Sequence, residues 1–479
     1  MKNTAIVVLC LISFQGYTQK ISKLKQKALA EVEGLSEQIH SACQQLWDYS
    51  EIALKEKESA NYLSSLLEDA DFSIESGVGG MPTAFVATFG TGKPVIGILA
   101  EYDALPGVGN APVPAREGRT DGVSSGHGCG HNLFGSASVN AAIALKNLMT
   151  EGHFSGTIKL FGTPAEETLT GKVYMANEGV FNGLDAVLDW HPTQSNEVTY
   201  TSSLAMNNFE VEFFGQAAHG AYDPWNGRSA LDAVEAMNYM VNMMREHIYP
   251  STRIHYVVPN AGDAPNVVPE YAKVWYYVRD TSRSNVEKFY DRILKIAEGA
   301  ALGTNTTHKV TLITGVHEYN LNEPMLRNIQ SNLQLVGPPT FTAEEQEWAR
   351  KLQQAAEKDQ DGFDTKITSI PSDWEKLQPG GGSTDVAEVS FQAPTAGFGV
   401  ATAPKNVPWH SWATSASHGT EAAYRATEVA TKVLTLSGVD LFTDAKYLAE
   451  AQAYFKKKVA GKPYVSPIPK DQKVVLPKG

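Results

Sequence analysis

Residues 126–132 read Gly126-His127-Gly128-Cys129-Gly130-His131-Asn132, a thiol and two imidazoles within five positions. Glycines between them let the backbone crowd close to whatever those side chains hold. The composition is that of half a metal site. Taken alone it is also that of a glycine-rich turn before a helix, with Cys129 a small buried hydrophobe and both histidines solvated. The metal reading therefore depends on ligands supplied from elsewhere in the chain.

Such residues recur where apolar strand patterns end. The buried-type run 94–99 leads into Ala100-Glu101-Tyr102-Asp103. The run 157–161 leads into Gly162-Thr163-Pro164-Ala165-Glu166-Glu167, and 186–189 leads into Trp190-His191-Pro192. Open α/β sheets place their ligands at the carboxyl ends of strands, so Asp103, the Glu166-Glu167 pair and His191 are expected along one edge. Each is ordinary alone, as a capping carboxylate or a surface histidine; the repetition points to a site.

Water-activating metals need a fixed shell of N, O or S ligands with a position left open. Cys129, His131, Glu167, His191 and His418 offer one thiolate, one carboxylate and three imidazoles. That set exceeds what one hydrolytic ion takes, so two divalent ions sharing a ligand fit better, with Cys129 as the bridge and His131 a terminal ligand. Thiolate softness favours zinc, while imidazole and carboxylate also suit manganese or cobalt. Adjacent glutamates point in different directions, which leaves Glu166 free to carry a proton from water to a leaving nitrogen. His127 is left outside the metal ligands because the set is filled without it.

Gly128-Cys129-Gly130-His131-Asn132 and Thr163-Pro164-Ala165-Glu166-Glu167 carry a resemblance that extends over nearly all of the chain after its first residues. The chain resembles the metallopeptidase family of carboxypeptidase G, the aminoacylases and the hippurate hydrolases. It is most similar to the p-aminobenzoyl-glutamate hydrolase branch through Gly382-Ser383-Thr384-Asp385-Val386 and Pro408-Trp409-His410-Ser411-Trp412. The resemblance implies that Cys129, His131, Glu167, His191 and His418 hold two metals, that Glu166 is the general base and that Asp103 orients the site. It also implies that His219 stabilises the oxyanion, often across a dimer interface, and that Asn266 lies near the substrate carboxylate. Asn132 stands where many relatives have aspartate. Tyr319-Asn320-Leu321-Asn322 stands where a carboxylate-clamping arginine would follow the small domain, which weakens the case for an acidic amino-acid tail on the substrate.

The elements that must position these residues form an α/β chain. Helical spacing is read over 21–49 and 59–70, then strands, then an Ala- and Leu-rich helix over 133–149. From 201 to 317 the order becomes β-α-β-β-α-β, a ferredoxin-like pattern. The expected fold is a catalytic domain with a mixed central sheet flanked by helices, in two parts (19–200 and 318–455), with an inserted lid or dimerisation domain at 201–317. A Lys- and Pro-rich stretch, 456–479, reads as a mobile tail.

The whole composition narrows function further. At 479 residues two domains are natural. A net charge of -13 without a dense basic stripe argues against nucleic acid. Residues 1–18 read as a signal peptide: Lys2, an apolar run too short to span a bilayer, then small residues. The protein is thus expected outside the cell or in the periplasm, without a membrane span. Cys10 would go with the signal peptide, leaving Cys43, placed on a buried helix face, and Cys129; a Cys43–Cys129 disulfide would defeat the metal reading. The partners expected are a small amide or dipeptide substrate and a second copy of the chain. Two other classes compete. Gly122-Val123-Ser124-Ser125-Gly126 fits the serine-hydrolase pattern, but the polar loop before it lacks the strand that motif needs. A secreted binding protein with a structural metal is the other, opposed by the retention of Glu166.

Overall fold

The computed structural model describes residues 22–477. The expected signal peptide, 1–18, lies outside them. In place of one helix over 21–49 there are two, Lys23–Gly34 and Ser36–Tyr49. Ser22 caps the first by accepting from the Lys25 N–H at 3.2 Å. Gly34, a poor helix former, precedes the break at Leu35.

The strands in chain order are β1 (Ser73–Ser76), β2 (Phe85–Gly90), β3 (Val95–Ala100), β4 (Thr157–Gly162), β5 (Ala186–Leu188), β6 (His191–Thr193), β7 (Glu197–Val198), β8 (Ala205–Phe214), β9 (Arg253–Asn260), β10 (Tyr271–Asp280), β11 (Thr307–Val316), β12 (Thr395–Ala396) and β13 (Phe398–Ala401). The main sheet runs β1-β2-β4-β3-β5-β12. Its β4, β3, β5 and β12 are parallel, whereas β2 runs antiparallel to β4. The carboxyl ends of β3, β4 and β5 therefore lie side by side, and the segments carrying Asp103, Glu166 and His191 leave from one edge.

Helix His131–Thr150 starts at that edge and packs between the sheet and helix Glu421–Thr443. Its first fifteen residues are all buried, which explains its run of small and apolar side chains. A four-stranded antiparallel sheet, β11-β8-β10-β9, is covered by helices Ala230–Met244 and Arg283–Thr304. It has a core of its own, with Phe209, Val211, Phe213, Met237 and Ile293 at the centre. The fold is mixed α/β.

The last stretch is not free of the body. Helix Ala445–Lys458 reaches into it, Ile468 is buried, and the Gln472 amide donates to the carbonyls of Leu312 and Ile313 at 2.9 and 3.0 Å. Lysine and proline suggest an unpacked segment by composition, yet one buried isoleucine and one bonded glutamine are enough to dock it across β11. Among the described residues, no helix is long and apolar enough to cross a membrane.

Candidate metal centre

Three loops and one helix start converge at the sheet edge. Gly130 precedes helix His131–Thr150 with φ of +84°, where a Cβ would come 2.7 Å from that of Pro192. The glycine thus lets the Cys129 loop lie directly against the His191 strand. After β4, Ala165 holds φ of +59°, and its N–H donates to the buried Glu56 carboxylate at 2.9 Å. Glu56 thereby fixes the turn that presents Glu166 and Glu167. Burial raises the Glu56 carboxyl to about 8, with the Asp103 charge adding to it.

His131 Nδ1 donates to the Asp103 carboxylate at 2.9 Å, and the other Asp103 oxygen accepts the Glu167 N–H at 2.9 Å. This carboxylate–histidine pairing fixes the ring and turns Nε2 into the site, as metal-ligating histidines require. His191 is set in the same way: Nδ1 donates to the Pro192 carbonyl at 2.6 Å, and Nε2 lies 3.5 Å from the Cys129 sulfur. His410 Nε2 lies 3.3 Å from that sulfur and 3.6 Å from a Glu167 oxygen. Ligand atoms on one tetrahedral zinc sit about 3.3–3.6 Å apart. Among the donor groups whose ligand atoms lie within 4.8 Å of one another are Cys129 with His131 and His191, and Cys129 with Glu167 and His410. Cys129 belongs to both.

The donors have the chemistry of a cation site rather than of a hydrogen-bonded core. His131 Nε2 and Glu167 Oε1 are buried with no hydrogen-bond partner, a costly state that an ion would relieve. Burial lowers His191 to about 4, so the ring is a neutral donor at neutral pH. Burial also pushes the Cys129 thiol up, so a metal must displace its proton. The Glu167 carboxyl is raised to about 8 by burial. Glu166 is held well above the carboxylate range by burial and by the Glu101 charge; its oxygen lies 3.9 Å from His131 Nε2. Cys43 and Cys129 are both free thiols, so no disulfide removes Cys129 from the site.

The expected set differs at one position. His418 ends the short helix Trp412–His418 and is fully buried, but both of its nitrogens are engaged within the wall. Nδ1 donates to the His127 carbonyl at 2.7 Å, and the Thr402 hydroxyl donates to Nε2 at 3.1 Å. The histidine that reaches the donors is His410, on a loop, with φ of +54°. Such a left-handed conformation in a residue with a Cβ costs about 1–3 kcal/mol and is typical of functional sites. Two histidines so close in sequence cannot be ranked from it; the neighbouring tryptophans are the only local signal. His127 also lies in the wall, Nε2 donating to the Leu46 carbonyl at 3.0 Å and Nδ1 accepting the Asn132 N–H.

His219 and Asn266 lie apart from this cluster, both exposed and adjacent on the four-stranded unit, where the Gly220 N–H donates to the Asn266 carbonyl at 2.8 Å. His219 Nδ1 accepts backbone N–H bonds from Ala221 and Tyr222, which leaves Nε2 facing outward. Ser124 is exposed on the loop before the Cys129 turn, not at a strand-to-helix elbow. Trp409 lies beside the donors, its ring 6.5 Å from that of His191.

Residues 97–455 match peptidase family M20/M25/M40. The chain is 35% identical over 450 residues to a p-aminobenzoyl-glutamate hydrolase component of Escherichia coli, covering 89% of this chain and 94% of that protein. Among solved structures, an aminobenzoyl-glutamate utilization protein from Klebsiella pneumoniae matches with a TM-score of 0.60 at 16% identity, covering 88% of this chain and all (100%) of that one. A dinuclear metal-binding peptidase of the M20 family from Bacillus subtilis matches with a TM-score of 0.54 at 18% identity, covering 84% and 99%.

Proposed function

Since the chain belongs to peptidase family M20/M25/M40 and is a hydrolase of amide or peptide bonds, we propose that it cleaves small N-acyl or N-aroyl amino acids or dipeptides with two divalent metal ions. The observation that carries the reading is the convergence of Cys129, His131, Glu167, His191 and His410 at ligand spacing, with buried donor atoms left unpaired. The ions, zinc or manganese with cobalt as a further fit, would supply the Lewis acidity that activates water and polarises the amide carbonyl.

Cys129, His131 and His191 would hold one ion, and Cys129, Glu167 and His410 the other. Asp103 orients His131 and steadies the Glu167 backbone. Glu166, without a ligand's role, takes the proton from the attacking water and gives it to the leaving nitrogen. The Trp409 ring forms a wall suited to an aryl acyl group, as in the p-aminobenzoyl compound named for the Escherichia coli relative. Residues 201–317 act as a ferredoxin-like lid and dimerisation domain, through which His219 of a second copy stabilises the oxyanion and Asn266 meets the substrate carboxylate. Residues 1–18 direct the protein to the periplasm or out of the cell.

The test is a panel of p-aminobenzoyl-glutamate, N-acetyl, N-benzoyl and dipeptide substrates, run on metal-stripped protein reconstituted with zinc, manganese or cobalt. Activity should need the metal, and Glu166→Gln should lose roughly 10²–10⁴-fold in kcat with the metal retained. Full turnover by stripped protein, or activity that survives Glu166→Gln but not Ser124→Ala, would overturn the assignment.

A further inference from the structure

Glu101 directly follows β3, two residues before Asp103, and is 1% exposed. One oxygen is tied down: Oε1 accepts from the Lys172 ammonium at 2.6 Å. Lys172, itself fully buried, is anchored in turn by Asp385, whose oxygens accept its side chain at 2.7 Å and its backbone N–H at 2.8 Å. The other oxygen is different. Oε2 lies 3.1 Å from His131 Nε2, yet neither atom has a hydrogen-bond partner. With the ring proton on Nδ1 and donated to Asp103, Nε2 and Oε2 are two acceptors side by side, a buried pair that a cation between them would satisfy. Glu101, His131 and Glu166 offer ligand atoms within 4.8 Å of one another.

The charge inventory agrees. Glu101 and Asp385 both contact the one buried ammonium, Glu166 and Asp103 lie within reach of its charge, and carboxylates withdrawn from water need a cation or a proton. Lys172 neutralises Glu101 and Asp385 only in part, and on the side away from His131.

We infer that Glu101 is a further ligand to the ion on His131, with Lys172 and Asp385 as positioning residues that aim its free oxygen. The proposal rests on the metal reading of the site and adds a ligand to it. An ion on His131 that also takes the Glu101 oxygen is held against competition better than one without it. Lys172 acts by fixing the carboxylate's rotamer and limiting its negative charge.

Zinc titration of the metal-stripped full chain against a chromophoric chelator tests this without turnover. Glu101→Gln keeps the shape and the bond to Lys172 but loses the ligand charge; Glu101→Asp keeps the charge but loses the reach. Both should bind one of two zinc equivalents at least about tenfold more weakly than the unaltered chain. In crystals of the unaltered chain loaded with zinc, which need no variant to fold, a Glu101 oxygen should lie about 2.0–2.2 Å from the ion on His131. Wild-type affinity for both ions in Glu101→Gln overturns the proposal. So does weakening in Glu101→Gln alone, which would mark an effect of charge without a bond, or a loaded crystal with Glu101 about 3 Å or more from the ion. An unaltered chain that binds no zinc, and behaves as Cys129→Ser does, overturns the metal reading itself and this ligand with it.

Discussion

Replacing His410 and His418 in turn by alanine separates a side chain that faces an ion from one that holds the wall behind it. His418 is fully buried, and its loss takes one hydrogen bond from the His127 carbonyl, which keeps the Gly130 N–H, and one from the Thr402 hydroxyl, which keeps the Thr193 carbonyl. Each lost hydrogen bond is worth about 0.5–1.5 kcal/mol, so His418→Ala should lower the stability of the metal-free protein by about 1–3 kcal/mol, before the cost of the cavity it leaves. The His410 side chain is 49% exposed and meets only the Cys129 sulfur and the Glu167 carboxylate among the ligand atoms. Its removal should cost the metal-free protein no more than about 0.5 kcal/mol. Metal affinity should show the opposite order. His410→Ala should weaken one zinc site by at least about tenfold, while His418→Ala keeps both sites within a few-fold at temperatures where it is folded. Urea unfolding followed by tryptophan fluorescence gives the first comparison and chelator competition the second. The assignment of His410 fails if His418→Ala releases an ion and His410→Ala does not.

Lys172→Met should destabilise the metal-free protein by about 3–5 kcal/mol in urea, because it leaves Glu101 and Asp385 as uncompensated buried carboxylates; a loss under about 1 kcal/mol would mean that they take up protons instead. His40 joins two helices, meeting Glu428 at 2.8 Å and Glu421 at 3.0 Å. The Glu428 bond raises the His40 pKa, and the same bond lowers that of Glu428. The His40 contribution is therefore complete below its ordinary value of 6.5 and fades as pH rises through the raised one; that of Glu428 is complete above 4.5 and fades below. The stability difference between the unaltered chain and His40→Gln should peak near about pH 5.5 and shrink by about pH 9, and a difference flat across that range refutes the pairing. Gln472→Ala should cost about 1–3 kcal/mol by the same urea assay, since it removes the donor shared by Tyr174, Leu312 and Ile313; no change would show the last segment to be undocked.

Much of the site is legible in the chain because its parts are local. A short apolar run followed by Asp103, by Glu166-Glu167 and by His191 marks three strand ends, and parallel strands bring such ends together without further instruction. Glycines around Cys129 signal a tight turn for a reason that survives in space, the approach of Pro192 to Gly130. Helical spacing likewise marks 421–436, the first part of helix Glu421–Thr443, since a buried helix face must repeat at 3.6 residues.

What the tertiary structure decided are the choices between side chains that look alike in one dimension. His410 and His418 have the same chemistry; only the positive φ of the first and the two engaged nitrogens of the second separate a site donor from a wall residue. Glu101 and Glu56 read as ordinary strand-end or helix-start carboxylates, because the partners that define them are remote in the chain. Lys172 lies 71 positions from Glu101, and the Ala165 amide lies 109 positions from Glu56. The segment after 456 looks free because its composition is polar, whereas docking turns on the burial of Ile468 and on Gln472 meeting backbone carbonyls of a distant strand. Sequence pattern thus determines which elements form and which ends carry reactive groups, since those depend on neighbours along the chain. Which nitrogen, oxygen or sulfur is left unpaired and turned toward a shared point depends on contacts across it, and that only the folded arrangement decides.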